Sequence, residues 1–177
     1  MLNTAAGRIF LAALSLAIGL VLFHTQIADA LVVRGDDMLV QNAYDQAAQR
    51  YSRALRFDPD SVVAIDRLAF VALQGKRADA LRLATDRASE YLRTHPAEPK
   101  LLFDRALCYL KQKHYLSAYA DFLRAAQLTH DPEQYTFAGW AARRTNKLAQ
   151  AVDAWRRALR IRPGYRPAAA ALSEQEK

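Results

Sequence analysis

Cysteine, glycine and proline are scarce in this chain of 177 residues, and each shortage excludes a class of structure. The single cysteine, Cys108, cannot form an intramolecular disulfide and leaves no thiolate-rich metal site. With six glycines and six prolines, the chain has no linker or low-complexity segment long enough to divide it. Hydrophobic residues make up 52% and charged residues 24%, which is typical of a folded globular protein.

Motifs for catalysis and cofactor binding are missing as well. The four histidines stand apart in the sequence: His24, His95, His114 and His130. None has a second histidine or a carboxylate at metal-ligand spacing on a shared face. The chain also lacks a glycine-rich phosphate loop and a nucleophile motif. We therefore expect no enzyme activity, with no catalytic residue, no metal site and no cofactor.

The charge balance is basic, with 25 lysines and arginines against 18 acids and a net charge of +7. Arg8 and Asp29 cancel within residues 1–30, so the excess belongs to residues 31–177. No run of five like charges and no nucleic-acid motif occurs, so we expect no nucleic-acid partner. An anionic lipid surface or an acidic partner protein remains compatible with this charge.

A continuous apolar run extends from Ile9 to Phe23, and Arg8 precedes it. This order predicts an amino terminus on the cytoplasmic side and export of the chain that follows. Ala28-Asp29-Ala30 has the small-x-small form of a cleavage site, yet the sequence continues without a break into a helical pattern. Residues 1–30 are predicted to be a signal-anchor or a signal peptide, and we favour the anchor. The rest would be membrane-anchored on the extracytoplasmic side, or periplasmic after cleavage.

Two segments of the chain have similar sequences: AYDQAAQRYSRALRFDP in residues 43–59 and KLAQAVDAWRRALRIRP in residues 147–163. The two copies agree at seven of seventeen positions and are the ends of a series of four. Its members begin at Ala47, Ala80, Ala118 and Ala151, which are 33, 38 and 33 residues apart. Apolar residues at helical spacing lie on both sides of each alanine, and a period in the low thirties is typical of stacked helical repeats.

The residues of these segments resemble the tetratricopeptide repeat family, in which small residues alternate with aromatic ones and a proline closes the unit. The first unit carries Gly35, Ala47, Tyr51, Ala54 and Pro59; the fourth carries Tyr135, Gly139, Ala151, Trp155, Ala158 and Pro163. The resemblance implies an all-α, right-handed solenoid of about four helix-turn-helix units within residues 31–165, after an amino-terminal hydrophobic helix. The units are expected at about 28–61, 62–98, 99–131 and 132–165, followed by a capping helix and tail at 166–177.

The second unit departs from the pattern, because Ala84 stands where an aromatic residue is usual. The spacing of 38 predicts a second helix about one turn longer before Pro96. We expect Tyr91 or Leu92, in that extra turn, to supply the missing bulk.

The first helices line a groove in tetratricopeptide proteins, so the resemblance implies a ligand-binding face. In this chain that face would be largely apolar, including Ile65, Ala69 and Ala72. The alternative is that these residues are buried against neighbouring units, and we prefer this alternative for the two alanines. The candidate partner-binding residues are Phe103, Leu107, Lys111, Trp140, Arg143 and Arg144. They predict a protein or peptide ligand that is apolar along its length and acidic at one end. Trp140 has a structural alternative, packing between the last unit and the segment Ala168–Leu172.

Arginines repeat at equivalent places in three first helices: Arg34, Arg67 and Arg105. Ion pairs between helices are the favoured interpretation, and ligand contact is the other. The function predicted from all these features is a protein-protein interaction scaffold of the cell envelope, which assembles or positions a larger complex. The alternatives are a basic repeat module held on an anionic membrane surface, and a small envelope enzyme. Salt-dependent liposome binding by residues 31–177 would favour the surface module.

Overall fold

The computed structural model describes residues 5–75 and 77–175, which form nine helices and no strand. The helices are α1 (Ala5–Val40), α2 (Tyr44–Phe57), α3 (Val62–Gln74), α4 (Ala78–Thr94), α5 (Pro99–Lys111), α6 (Tyr115–Thr129), α7 (Pro132–Arg144), α8 (Leu148–Ile161) and α9 (Arg166–Ser173). Residues 1–4 of the predicted amino-terminal segment, Lys76 and residues 176–177 of the predicted tail lie outside the described residues. The helices stack pairwise as a right-handed tetratricopeptide-type solenoid that follows one long apolar helix.

Local sequence explains where the helices begin and turn. Ser61 and Asp131 accept hydrogen bonds from backbone N–H groups at the starts of α3 and α7. Three of the tight turns inside helix pairs place a residue in the left-handed region: Asn42 at φ 57°, Lys113 at φ 64° and Asn146 at φ 59°. Asparagine adopts this conformation at low cost. Lys113 has no such preference, so its conformation follows from the packing of α5 against α6.

The apolar segment and the first repeat share one unbroken helix. α1 contains 36 residues, which corresponds to about 54 Å of helix. Large apolar side chains between Ile9 and Phe23 are exposed, whereas Ala28 and Val32 further along are buried against the repeats. α1 therefore has an uncovered half and a half that packs on α2.

Each helix pair closes around one small and one large residue at matching positions. Gly35 of α1 faces the ring of Tyr51 in α2, and Gly139 of α7 faces the indole of Trp155 in α8. In the third pair the matching residues are Ala106 and Phe122, and both are fully buried. The small residue lets the helices approach closely, and the ring fills the space beside it.

In the second pair the large residue is on the first helix and the small residue is on the second. Leu68 holds the place of Gly35 in the repeat and is fully buried, while Ala84 holds the place of Tyr51. The expectation that Tyr91 or Leu92 supplies the missing bulk was wrong. Those residues lie seven and eight positions beyond Ala84, which is about 10–12 Å along the helix and too far to fill the same space. The bulk comes from the first helix instead.

The spacing of 38 residues corresponds to a longer α4. It contains 17 residues, compared with 14 in α2 and α8 and 15 in α6. At the other end of the solenoid, α9 covers α8 by burying Ala168 and Ala171. Cys108 lies fully buried in the core, and burial raises the pKa of its thiol to about 12. This cysteine is therefore a packing residue rather than a reactive thiol.

Candidate partner-binding surface

Part of the face predicted to line a groove is covered by neighbouring helices. Ala69 and Ala72 are 3% and 2% exposed, which agrees with the interpretation that they pack against adjacent units. Ile65 is fully buried, so it offers no surface to a ligand. The largely apolar face predicted for the groove is thus covered at the second unit.

Phe103 and Leu107 are half-buried on α5 and pack into an aromatic cluster. The ring of Phe103 meets Phe122 edge-on at 5.4 Å and Phe137 at 5.6 Å, measured between ring centroids. Phe122 and Phe137 are stacked at 5.3 Å. These rings join α5, α6 and α7 into one block, so their first role is to hold the third and fourth pairs together.

Trp140 lies at the outer edge of that cluster. Its ring meets Phe137 edge-on with centroids 5.1 Å apart, and 39% of the residue is exposed. The buried cluster that includes Ala168 and Ala171 contains Trp155 as its tryptophan. Trp140 is therefore a large aromatic side chain with rigid support on one side and solvent on the other.

Arg143 and Arg144 follow Trp140 at the end of α7, and each has a contact near the surface. Arg143 Nη1 donates to Glu174 Oε2 at 3.1 Å, between side chains that are both largely exposed. Arg144 Nη2 donates to the Tyr115 hydroxyl at 3.1 Å, and its guanidinium lies 5.2 Å from the centre of that ring. Exposed contacts of this kind contribute about 0–1 kcal/mol, so a partner carboxylate can replace them at little cost.

Lys111 points to the end of another helix. Its ammonium donates to the carbonyl oxygens of Ala72 and Gly75 at 3.1 Å each, and also to that of Leu73. The last carbonyls of a helix have no partner within it and carry partial negative charge, which a lysine stabilises. Nothing in the sequence pattern signals this cap, because the lysine and the carbonyls are 36 to 39 residues apart.

Two of the three repeated arginines form the ion pairs that were favoured. Arg67 Nε lies 3.2 Å from Asp36 Oδ1, and the Tyr51 hydroxyl donates to the same oxygen at 2.6 Å. Burial, and then the neighbouring Asp36, raise the pKa of Tyr51 well above its usual value. Since Asp36 belongs to α1 and Arg67 to α3, this pair joins the first two units.

Arg105 is the more deeply buried member of the series. Its Nε and Nη2 donate to both oxygens of Asp121 at 2.7 and 2.8 Å, and Nη1 donates to Ser89 Oγ at 3.1 Å. These bonds link α4, α5 and α6. Such a bidentate pair fixes the angle between helices as well as their distance. Arg34, the third member, is exposed.

The acids that precede two of these arginines form a cluster between α3 and α5. Lys100 contacts Asp66, and its ammonium lies 3.2 Å from Asp104 Oδ2. Burial raises the pKa of the Asp104 carboxyl to about 7, against the opposing effect of the Lys100 charge, and the adjacent carboxylate of Asp66 raises it further. The described part of the chain contains no group of three or more histidines, cysteines and acids that could hold a metal ion.

The architecture is that of a tetratricopeptide-type solenoid, and comparison with solved structures supports this assignment of the fold. YrrB, described as a TPR protein with an unusual peptide-binding site, superposes with a TM-score of 0.68 at 17% identity, over 92% of this chain and 88% of its own. MamA from Desulfovibrio magneticus superposes with a TM-score of 0.65 at 15% identity, over 78% and 77%.

PilF from Pseudomonas aeruginosa is similar at 26% identity with a TM-score of 0.61, over 82% of this chain and 66% of its own. No protein-family profile and no curated protein sequence matches the chain. At these identities the likenesses establish the fold.

Proposed function

We propose that this protein is an interaction scaffold of the cell envelope, which binds a partner protein at a surface formed by Trp140, Arg143 and Arg144. This Trp140 surface is the observation that carries the proposal. It combines an exposed indole, rigidly supported by Phe137, with two arginines whose present contacts are weak. Tryptophan and arginine are the residue types that most often dominate binding energy at interfaces.

The chemistry of this surface defines the partner. An apolar side chain of the partner would cover the Trp140 ring, and a carboxylate would reach the guanidinium of Arg143 or Arg144. The half-buried Phe103 and Leu107 extend the apolar part toward α5. We therefore infer a protein segment that is apolar along its length and acidic at one end. Lys111 contributes less to this site, because it already caps α3.

The envelope location rests on α1. An 18-residue window of this helix has a mean hydropathy of 1.9, and among the described helices it alone is long and apolar enough to cross a membrane. A signal sequence has the same composition, so burial of Ala28 is the stronger argument for an anchor. Cleavage after Ala30 would remove Ala28 from the core and His24 from its contact with Phe57. Retention of α1 preserves both.

The proposal is tested by capture from detergent-solubilised envelopes on the immobilised full-length protein. Trp140→Ala should lose about 2 kcal/mol or more of binding, a roughly thirtyfold weakening, with little change in melting temperature. Replacing Arg143 and Arg144 by glutamate should abolish capture, and high salt should weaken it. Leu128→Ala is the matched control, because Leu128 is 44% exposed on α6. A variant Trp140→Ala that melts much lower, yet captures normally when folded, would contradict the proposal.

A further inference from the structure

The junction between the apolar segment and the first repeat has no hinge. α1 is continuous from Ala5 to Val40, and no residue within it interrupts the helix. The half after residue 27 is fixed on the repeats through Ala28 and Val32, which are 0% and 7% exposed. A helix that spans a membrane and continues into the solenoid therefore sets the height of the first repeat above the bilayer.

The carboxyl end of α2 lies beside the end of the apolar run. The ring of Phe57, the last residue of α2, meets the ring of His24 edge-on with centroids 6.0 Å apart. His24 directly follows Phe23, where the run ends. Because α2 lies against α1 with its carboxyl end at this level, the turn that follows it lies beside the end of the apolar segment.

Exposed apolar side chains flank that turn. Phe57 precedes it and is 37% exposed, and Val63 follows it in the first turn of α3 and is 55% exposed. Arg56 is exposed beside Phe57, and its guanidinium is suited to a lipid phosphate. Asp58 and Asp60, within the turn itself, prevent it from entering hydrocarbon. An aromatic residue, an arginine and a polar tip are suited to the headgroup layer rather than to the bilayer core.

The apolar run is shorter than the hydrocarbon layer is thick, and this difference should draw the turn toward the membrane. Its fifteen residues extend about 22 Å as a helix, less than the hydrocarbon thickness of about 30 Å. A short span draws its flanking residues into the interface and thins the bilayer around it. On the proposed anchoring by α1, we propose that the α2–α3 turn, residues 58–61, rests in the phospholipid headgroup layer, with the flanking Phe57 and Val63 in the interface. The first repeat would thus contact the membrane, and the partner protein would bind to the last repeat.

This contact differs from charge-driven adhesion to anionic lipid. Arg53 and Arg56 of α2 are offset by Asp58 and Asp60 in the adjacent turn, so the local charge is close to neutral. The contact should therefore form equally in zwitterionic and anionic bilayers and should persist in high salt.

The test uses full-length protein in vesicles that contain lipid brominated near the top of the acyl chains. Phe57→Trp places an indole at the proposed contact, and Ile161→Trp is the control. Ile161 holds the equivalent place in the last repeat and is 40% exposed. Brominated lipid should quench most of the emission added by Phe57→Trp and little of that added by Ile161→Trp, at low and high salt alike. Each value is taken relative to the parent protein.

Four results would overturn the inference. Equal quenching of both indoles would show that contact does not depend on attachment through α1. Loss of quenching in high salt would show adhesion by charge. Absence of quenching from Phe57→Trp in protein that floats with the vesicles would overturn this inference and leave the anchor intact. Failure of the protein to float would overturn the anchor, and the inference with it, while the Trp140 surface would stand.

Discussion

The indole of Trp155 lies directly against the backbone of Gly139. A β-carbon placed on residue 139 would come 2.7 Å from Cε2 of the ring, and Nε1 would be closer still. The same Nε1 donates a hydrogen bond to the Thr136 carbonyl oxygen at 3.2 Å. Gly35 and Tyr51 repeat this arrangement in the first pair, where the β-carbon would lie 2.8 Å from Cδ1 of the ring. Glycine is therefore required by the close approach of the two helices in the first and fourth pairs, and these contacts set the spacing within those two pairs.

Gly139→Ala should destabilise the solenoid. The added methyl group displaces the buried indole, and overpacking of this kind costs about 1–3 kcal/mol. Thermal unfolding followed by circular dichroism would measure the effect. Gly19→Ala is the matched control, because no atom lies within 4 Å of a β-carbon at that position. Equal melting temperatures for both variants would contradict this account of the helix crossing.

The reversed pair in the second unit offers a test of the same principle. Leu68→Gly should cost about 3 kcal/mol or more, because it opens a cavity and adds a glycine to a helix. Ala84→Tyr alone should also destabilise, by overpacking. The two together restore the small-large order of the first unit, so the double variant should be more stable than the sum predicts, by about 0.5–3 kcal/mol. Chemical denaturation of the four proteins measures this coupling, and strict additivity would refute it.

The sequence pattern predicted the class of fold because the small and aromatic residues recur at one period. Gly35, Tyr51, Gly139 and Trp155 are all where that period requires them, and each spacing is a local property of the chain. The origin of the bulk in the second pair was not predicted, because Leu68 reads as an ordinary apolar helix residue. The repeat period places Leu68 where the first unit has Gly35, and its complete burial shows that it fills the core there.

The candidate site was predictable to a lesser degree. Helical spacing placed Trp140, Arg143 and Arg144 on one surface, and the structure leaves these side chains accessible. Lys111 satisfies the same spacing, yet its ammonium reaches the end of α3. The spacing of residues within one helix determines which face a side chain is on, but it does not show which neighbouring helix that face contacts. The distance from α5 to α3 depends on the whole packing of the second unit.

Stability should fall as pH rises between about 4 and 7, through Asp104. Burial in the folded state raises the pKa of this carboxyl to about 7, while in the unfolded chain it is about 4. The folded protein therefore holds a proton that the unfolded chain releases, and a higher pH favours unfolding. The stability contributed by the protonated Asp104 carboxyl is fully present below the pKa of the unfolded chain, about 4. It is lost as the pH rises through the pKa of the folded protein, about 7.

Asp104→Asn should remove that part of the pH dependence, because the amide keeps a neutral polar group beside Asp66 and Lys100. Denaturant midpoints between pH 4 and 8 measure the slope for both proteins. Asp153→Asn is a suitable control, since the Asp153 side chain is 53% exposed in its pair with Arg157. An identical slope in Asp104→Asn and the parent protein would mean that Asp104 titrates normally.

Photo-crosslinking from position 140 in cells tests most directly whether the Trp140 surface binds a partner protein. A photoreactive phenylalanine analogue replaces Trp140 in one strain and Leu128, which is similarly exposed, in another. We expect a discrete protein adduct from position 140 alone, which disappears when Arg143 and Arg144 are replaced by glutamate. Absence of an adduct at position 140 in a folded protein, or the same adduct from Leu128, would contradict it.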